Sequence, residues 1–368
     1  MLLLSVDVED FRNIVRARLE PSPRATILVG QNGQGKTNIL EAIYFACTLK
    51  PLRSARLSAL LRFGSERARV SAEAEGPGGV RRLAVELGAG IRTAFLDGKP
   101  QERLDDYFQG LAAVCFSPDD LLLLKGGPEG RRRFLDRAAF NRWPAVLAEA
   151  REYLRALRTR NAALRSATGE VEESFRGPLL RAGARLLRRR RDLLQEIAPR
   201  FERAFSEISG SCAPAVTLAY RSAGGLNLDG DEDELASRLG SALAARAVRD
   251  AERGYTSLGP HMDDLALQIG GHDARHFASQ GQQRALVLAL KVAEIENLRA
   301  ILGRPPLLLL DDVSSELDPE KNRFLLQYLT RLPGQAFLTT TDARLLQAAA
   351  GPETALYEVE QGSVSRRY

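Results

Sequence analysis

The sequence contains few residues of the kinds that build disulfide frameworks or metal centres. Its three cysteines, Cys47, Cys115 and Cys212, lie far apart, and it has only three histidines. An odd number of distant cysteines argues against a disulfide scaffold, and so few histidines argue against a histidine-rich metal site. No apolar run reaches the roughly 18 residues of a membrane span. The first ten residues lack a basic segment and include three acids, which argues against a signal peptide. We therefore expect a soluble cytosolic protein.

Lysine is also scarce, with six among the 52 basic residues. Between Arg131 and Arg203 there are nineteen arginines and nine acidic residues, so this segment has a net charge of +10. Because the whole chain has a net charge of +5, the remainder sums to −5. Such segregation favours a polyanion-binding face, with nucleic acid as the expected partner. The alternative is that arginine simply covers solvated helix faces.

One glycine-rich segment, Gly30–Thr37, matches the phosphate-binding pattern G-x-x-x-x-G-K-[ST]. It follows an apolar run at 25–29 and leads into a helical pattern. Glycines let successive backbone N–H groups converge on phosphates; Lys36 would supply a charge to the β- and γ-phosphates and Thr37 a ligand for Mg²⁺. The alternative is a glycine-rich turn before a helix. The candidate nucleotide-binding residues here are Gly30, Gln31, Asn32, Gly33, Gln34, Gly35, Lys36, Thr37 and Asn38.

A second segment, Leu307–Asp312, is an apolar run ending in two acids. This is typical of a buried parallel strand with carboxylates at its carboxyl end. We expect Asp311 to bind Mg²⁺ together with Thr37, and Asp312 to orient or deprotonate an attacking water. Lys36, Asp311 and Asp312 are thus the candidate catalytic residues. A core strand capped by acids is the alternative.

A third segment, Ser279–Arg284, opens an apolar helix and offers a second anion-binding site through Ser279, Gly281 and Gln282. This arrangement resembles ATP-binding-cassette ATPases, in which each nucleotide lies between the phosphate loop of one subunit and the signature segment of the other. Ser315 and Asp318 have the form of the loop that lines that dimer seam.

The middle of the chain predicts a helical arm. Apolar residues follow 3-4 spacing over 143–166 and 172–208, which predicts two antiparallel helices in a short coiled coil. Residues 66–98 predict a meander of strands. We expect an ATPase domain formed by residues 1–115 and 251–368, with a helical domain at 116–250 between its two parts.

Together and in this order, the motifs resemble the RecF family of bacterial recombination mediators, which are ATPases related to SMC and Rad50. The most specific stretch is Pro118–Asp136, with its acids, Gly-Gly-Pro turn and arginines; Arg131, Arg132 and Arg133 are candidate DNA contacts. The others are Gly33–Asn38, Gly259–Leu265 and Leu310–Asp318. The resemblance implies an α/β, Rad50-like ABC-ATPase head with a mixed sheet, and a helical second domain.

The resemblance also implies ATP and Mg²⁺ as ligands, an ATP-dependent homodimer, and slow, DNA-stimulated ATP hydrolysis. It implies binding to double-stranded DNA near gaps or single-strand/double-strand junctions, and cooperation with RecR and RecO in loading RecA. By the same resemblance, Arg12 and Asn13 lie near the nucleotide, and Thr341 replaces the switch histidine of transport cassettes. Met262 departs from the family, which usually has arginine there, and Phe116–Pro118 provides no Q-loop glutamine.

Two other ATPase assemblies remain open from the motifs. One is the ATPase subunit of a transport cassette, which the missing switch histidine and the helical arm disfavour. The other is an ATPase-linked nuclease, which the short stretch of chain after Thr341 disfavours.

Overall fold

A computed structural model of the chain divides into two compact units, Met1–Asp120 with Ile295–Tyr368, and Leu121–Glu294. The sequence placed the boundaries near residues 115 and 250. The second unit extends to Glu294 because strand Asp264–Ile269 pairs along its length with strand Val216–Arg221. The residues described are 2–53, 56–76, 79–88, 90–102, 107–108, 111–166, 171–210, 212–312, 319–332, 334–342 and 353–367, without the side chains of 171–176 and 330.

The described elements are numbered in chain order. The strands are β1 Leu2–Phe11, β2 Ile14–Leu19, β3 Ala25–Val29, β4 Arg67–Gly76, β5 Gly79–Gly88, β6 Ile91–Leu96, β7 Lys99–Pro100, β8 Ala113–Phe116, β9 Val216–Arg221, β10 Asp264–Ile269, β11 His272–Asp273, β12 Leu307–Leu310, β13 Ala336–Thr340, β14 Thr354–Glu360 and β15 Ser363–Arg367. The helices are α1 Lys36–Thr48, α2 Leu122–Lys125, α3 Pro128–Arg142, α4 Val146–Ser166, α5 Val171–Ser209, α6 Glu232–Ala244, α7 Ala247–Arg253, α8 Ala274–Phe277, α9 Gln280–Leu302 and α10 Pro319–Arg331, with 3₁₀ helices at Leu57–Leu60 and Pro118–Leu121.

The first unit contains two six-stranded sheets. One is antiparallel, in the order β2-β1-β4-β5-β6-β7, and includes the predicted meander as β4–β6. Along β4 every second residue from Ala68 to Ala74 is buried, which is the pattern of a strand with one face in a core. The other sheet has the order β15-β14-β3-β13-β12-β8, in which five strands are parallel and β15 is antiparallel. The predicted mixed sheet is therefore confirmed.

The parallel strands bring distant residues to one edge. Leu310 pairs with Phe116 and Leu338, and Thr340 pairs with Val29, so the carboxyl ends of four strands meet there. All four residues of β12 are buried, as its continuous apolar sequence predicts. Helix α1 starts beyond β3 and is buried along most of its length. This edge is where an open α/β sheet binds ligands.

The second unit is built on the predicted helical arm. Arg185 of α5 pairs with Glu152 of α4, and Arg189 pairs with Glu149, so the two helices run antiparallel. The predicted apolar residues that are buried are Leu147 and Leu157 of α4 and Leu187, Leu194, Ile197 and Phe201 of α5. A three-stranded sheet in the order β11-β10-β9 completes the unit. Among the helices of the described residues, none is long and apolar enough to cross a membrane.

Candidate functional site

The glycine-rich loop leaves the carboxyl end of β3 under tight steric constraint. The amide of Gly30 donates to the carbonyl of Thr340 (3.3 Å). A Cβ atom on Gly30 would lie 2.2 Å from the carbonyl oxygen of Val359 on β14, so only glycine fits there. Gly35 has φ 114°, a left-handed conformation that glycine adopts without a steric cost. The loop geometry is thus set by the strands on both sides of β3.

Lys36, the first residue of α1, lies with its ammonium inside the loop. Its Nζ donates to the carbonyl oxygens of Gly30 (2.6 Å) and Gln31 (2.9 Å), and the residue is only 6% exposed. Burial lowers the pKa of Lys36, while the charges of Asp312 and Asp311 oppose that shift. The loop therefore presents one buried cation close to two carboxylates, as expected of a phosphate-binding lysine.

Thr37 and Asp311 meet at the edge of the parallel sheet. The Thr37 hydroxyl donates to Oδ1 of Asp311 (2.7 Å), and the Thr339 hydroxyl donates to the same oxygen (2.9 Å). Burial raises the pKa of Asp311, which is 6% exposed, and the two hydroxyl donors oppose that shift. A hydroxyl and a carboxylate are the hard oxygen ligands that Mg²⁺ prefers. The side chains predicted to bind the metal are therefore adjacent.

Asp312 follows with an uncommon backbone conformation. Its φ is 46°, in the left-handed region, and its amide donates to the Thr339 hydroxyl (2.9 Å). Asp tolerates this conformation better than most residues, yet it still has a cost that the surroundings must offset. Thr339 thus fixes both acids at once, the first through its carboxylate and the second through its backbone.

Arg12 and Asn13 contact the loop and its helix. The Arg12 guanidinium pairs with the fully buried carboxylate of Glu41 on α1 (2.9 Å), which Arg53 also approaches (3.4 Å). The Asn13 side chain donates to the carbonyl oxygen of Gln34 (3.2 Å) and accepts from the side-chain Nδ2 of Asn38 (2.8 Å). The turn between β1 and β2 is therefore anchored on the phosphate loop, next to the position that the resemblance implied for the nucleotide.

The β14–β15 hairpin, which was not predicted from the sequence, also contacts the loop through its turn. The amide of Gln361 donates to Oε1 of Gln34 (2.6 Å), and the amide of Gly362 donates to its carbonyl oxygen (2.8 Å). Alternating apolar residues before a Gln-Gly pair are a hairpin signal that could have revealed it. With Asn13, this turn thus binds both the backbone and the side-chain carbonyl oxygen of Gln34.

The signature segment begins α9 and lies in the second unit. Ser279 accepts from the amide of Gln282 (3.3 Å), and the Gln282 side chain accepts from the amide of Ser279 (2.8 Å), which is a capping box. Gly281 lies in the first turn of this helix. Thr341 is exposed immediately after β13. Ser315 and Asp318 of the predicted dimer seam lie outside the described residues.

The three candidate DNA-binding arginines differ in their surroundings. Arg131 is buried and forms a bidentate ion pair with Asp264 (2.7 and 2.8 Å), so its interpretation as a DNA contact is corrected. Arg132 donates to the carbonyl oxygen of Asp263 (2.9 Å). Arg133 is exposed, with a loose 3.9 Å contact to Glu129. A buried guanidinium in an ion pair cannot reach a phosphate, which rules out Arg131, whereas Arg132 is half-buried and Arg133 is exposed.

Much of the arginine excess in the middle segment is also used internally. Arg190 is 4% exposed and binds Asp136 (2.7 Å), the Tyr220 hydroxyl and the carbonyl of Pro260. Arg160 is equally buried against Asp250 (2.9 Å). Net charge along the sequence therefore overstated the positive surface.

His261, in the Gly-Pro-His stretch, has both ring nitrogens engaged. Nε2 lies 2.9 Å from the carbonyl oxygen of Thr256, which can only accept, so Nε2 donates. Nδ1 lies 2.7 Å from the Tyr153 hydroxyl, which then donates to it. Burial lowers the pKa of His261, consistent with this neutral tautomer. The residue joins α4 to the segment before β10.

Comparisons with known proteins agree with this architecture. The family model described as RecF/RecN/SMC N terminal domain matches residues 2–365. The chain is 69% identical to the DNA replication and repair protein RecF of Anaeromyxobacter sp. (strain Fw109-5), over 99% of both chains. It is 53% identical to that of Myxococcus xanthus (strain DK1622), covering 100% of this chain and 98% of the relative. A solved structure of the recombination mediator protein RecF-ATP in the RecFOR pathway superposes with a TM-score of 0.90 at 27% identity, covering 100% of this chain and 98% of the other.

Proposed function

Because the chain belongs to the RecF family, whose members are ABC-type ATPases of DNA replication and repair, we propose that it binds ATP with Mg²⁺ and hydrolyses it slowly. The observation that carries the proposal is the 2.7 Å hydrogen bond between Thr37 and Asp311, next to the loop that encloses Lys36. It joins the two motifs that the sequence separates by more than 270 residues. The residues proposed to bind the phosphates and the metal therefore lie together.

The residues of this edge divide the chemistry among them. The loop amides and Lys36 would bind the phosphates, and Thr37 with Asp311 would hold the metal. Mg²⁺, when bound, neutralises charge on the β- and γ-phosphates. Asp312, next to Asp311 and fixed by Thr339, would orient or deprotonate the attacking water. An aspartate here, with no Q-loop glutamine in Phe116–Pro118, is consistent with slow turnover.

We propose that the nucleotide site is completed by a second copy of the chain. Ser279, Gly281 and Gln282 would contact the γ-phosphate bound to the partner, so that ATP stabilises the dimer by contacting both subunits. Ser315 and Asp318 would line the seam. The capping box of Ser279 and Gln282 supports this proposal, since it fixes the helix start that would face the phosphate.

We propose duplex DNA near gaps or single-strand/double-strand junctions as the partner of the dimer, with hydrolysis stimulated by that DNA. The protein of the solved RecF-ATP structure is a recombination mediator of the RecFOR pathway. By that similarity, RecR and RecO are the expected protein partners, and loading of RecA is the expected outcome.

The dimer model is tested by two substitutions. Lys36→Ala removes the buried cation of the loop and should abolish ATP binding. Ser279→Arg should leave ATP binding intact while preventing ATP-dependent dimerisation, because the arginine would occupy the space of the partner's phosphate. Sedimentation velocity with and without ATP measures the dimer, and a fluorescent ATP analogue measures binding. A Ser279→Arg protein that still dimerises with ATP would contradict the model.

A further inference from the structure

The solvent-facing side of α4 carries arginines that take no part in the internal ion pairs. Arg151, Arg155 and Arg158 are exposed, and none has an acidic partner among the described residues. Their spacing of four and three residues places them on one face of the helix. Arg165, two turns further, extends that face and is exposed although it donates to the carbonyl of Gly254 (3.2 Å). We call these four residues the α4 stripe.

The acids of α4, Glu149 and Glu152, lie outside the stripe, with the Glu152 side chain 50% exposed. Glu149 pairs with Arg189 (3.1 Å) and Glu152 with Arg185 (2.6 Å), so both negative charges are directed toward α5 and compensated there. The positions on the exposed face between the arginines are Leu154 and Ala162, which are uncharged. The α4 stripe is therefore a row of cations without interspersed acids, unlike the buried Arg131, Arg160 and Arg190.

We propose that the α4 stripe binds the phosphate backbone of duplex DNA. The inference rests on the DNA-binding function proposed above and assigns that function a surface. From Arg151 to Arg165 the stripe is about 21 Å long, at 1.5 Å per helical residue. Over that length of duplex, each strand presents about six phosphates. The stripe is therefore long enough to contact several phosphates along the duplex.

The residues on this face of α4 favour nucleic acid over an acidic protein as its partner. Protein interfaces are built around apolar and aromatic residues, and this face offers one large apolar side chain, Leu154, at 44% exposure. All the charge of this face comes from arginine, whose planar guanidinium has a fork of donors that matches phosphate oxygens. Contacts of this kind are independent of base sequence, as a protein acting at gaps of any sequence requires.

The test replaces Arg151, Arg155 and Arg158 with glutamine together and measures DNA binding at several salt concentrations. Loss of three phosphate contacts should lower the slope of log K against log[salt] by about 2.7 per chain. Between 50 and 200 mM salt, the affinity of the variant should thus change about 40-fold less than that of the unmodified protein for each stripe that contacts the duplex. The probe is a fluorescent 30-base-pair duplex with a single-strand gap, titrated in the presence of ATP.

A matched control removes three exposed arginines from other helices, Arg203→Gln, Arg299→Gln and Arg331→Gln. The control has the same net charge as the stripe variant and should retain the salt slope. Equal slopes for the stripe variant and the unmodified protein would overturn the proposal, as would equal losses in both triple variants, which would indicate net charge alone.

Two further measurements distinguish a failure of the stripe proposal from a failure of the proposed DNA-binding function. Fluorescent ATP binding and the thermal unfolding midpoint should match in all three proteins, since every substituted side chain is exposed. If the unmodified protein binds ATP but no DNA, the proposed function itself fails. If it binds DNA and only the stripe variant loses the contact, the stripe is supported.

Discussion

Gly362 offers the sharpest test of how the phosphate loop is held. A Cβ atom at this position would lie 2.3 Å from the carbonyl oxygen of Asn13, whereas ordinary contacts are 3.4 Å or more. Gly362→Ala must therefore move the β14–β15 turn by about 1 Å away from Asn13. Such a shift stretches the hydrogen bonds from Gln361 (2.6 Å) and Gly362 (2.8 Å) to Gln34.

The expected magnitude follows from those two bonds. Each contributes about 0.5–1.5 kcal/mol, so releasing Gln34 should cost about 1–3 kcal/mol of loop organisation. If the loop must recover its shape to bind phosphate, ATP affinity should fall about 5- to 150-fold. Titration with a fluorescent ATP analogue measures that loss directly.

Gly98 provides the control, because it lies in the turn between β6 and β7 with nearly the same backbone. Its φ is 78°, against 81° for Gly362, but no atom lies within 4 Å of a Cβ there. Both alanine variants should therefore lose about 1 kcal/mol of stability through left-handed strain. Only Gly362→Ala should lose ATP affinity. Equal ATP affinities in the two variants would refute the view that the hairpin positions the loop.

Two further predictions concern the stability of the second unit. Asp250→Ala should destabilise the fold by about 3–5 kcal/mol in chemical denaturation, because it leaves the buried guanidinium of Arg160 without its carboxylate; a loss below about 1 kcal/mol would contradict this. Burial lowers the pKa of His261 below its usual 6.5, so the unfolded chain binds a proton there that the folded chain does not. Stability should therefore fall as pH drops below about 6.5, by at most about 1.4 kcal/mol per pH unit, and unfolding curves of His261→Gln should show less of this dependence.

The sequence predicted the features whose geometry depends on neighbouring residues. Gly30–Thr37 folds as a loop because of its own glycines and the apolar run before it. Strand β12 is buried because four consecutive leucines are stable only away from water. The arm followed from 3-4 spacing over two long stretches. The proximity of Thr37 and Asp311 was predictable too, because carboxyl ends of parallel strands share an edge.

The tertiary structure decided which charges are paired inside the protein and which are presented outside. Arg131 and Arg151 are alike in sequence terms, yet the first binds an aspartate 133 positions away and the second faces solvent. Gln34 likewise depends on a turn more than 320 residues further along the chain. Local composition determines backbone preference and the burial of apolar residues, but an ion pair or a loop contact depends on which distant segment packs against it. For this reason the sequence alone predicted the candidate nucleotide site, and only the fold identified the α4 stripe and the hairpin that contacts the loop.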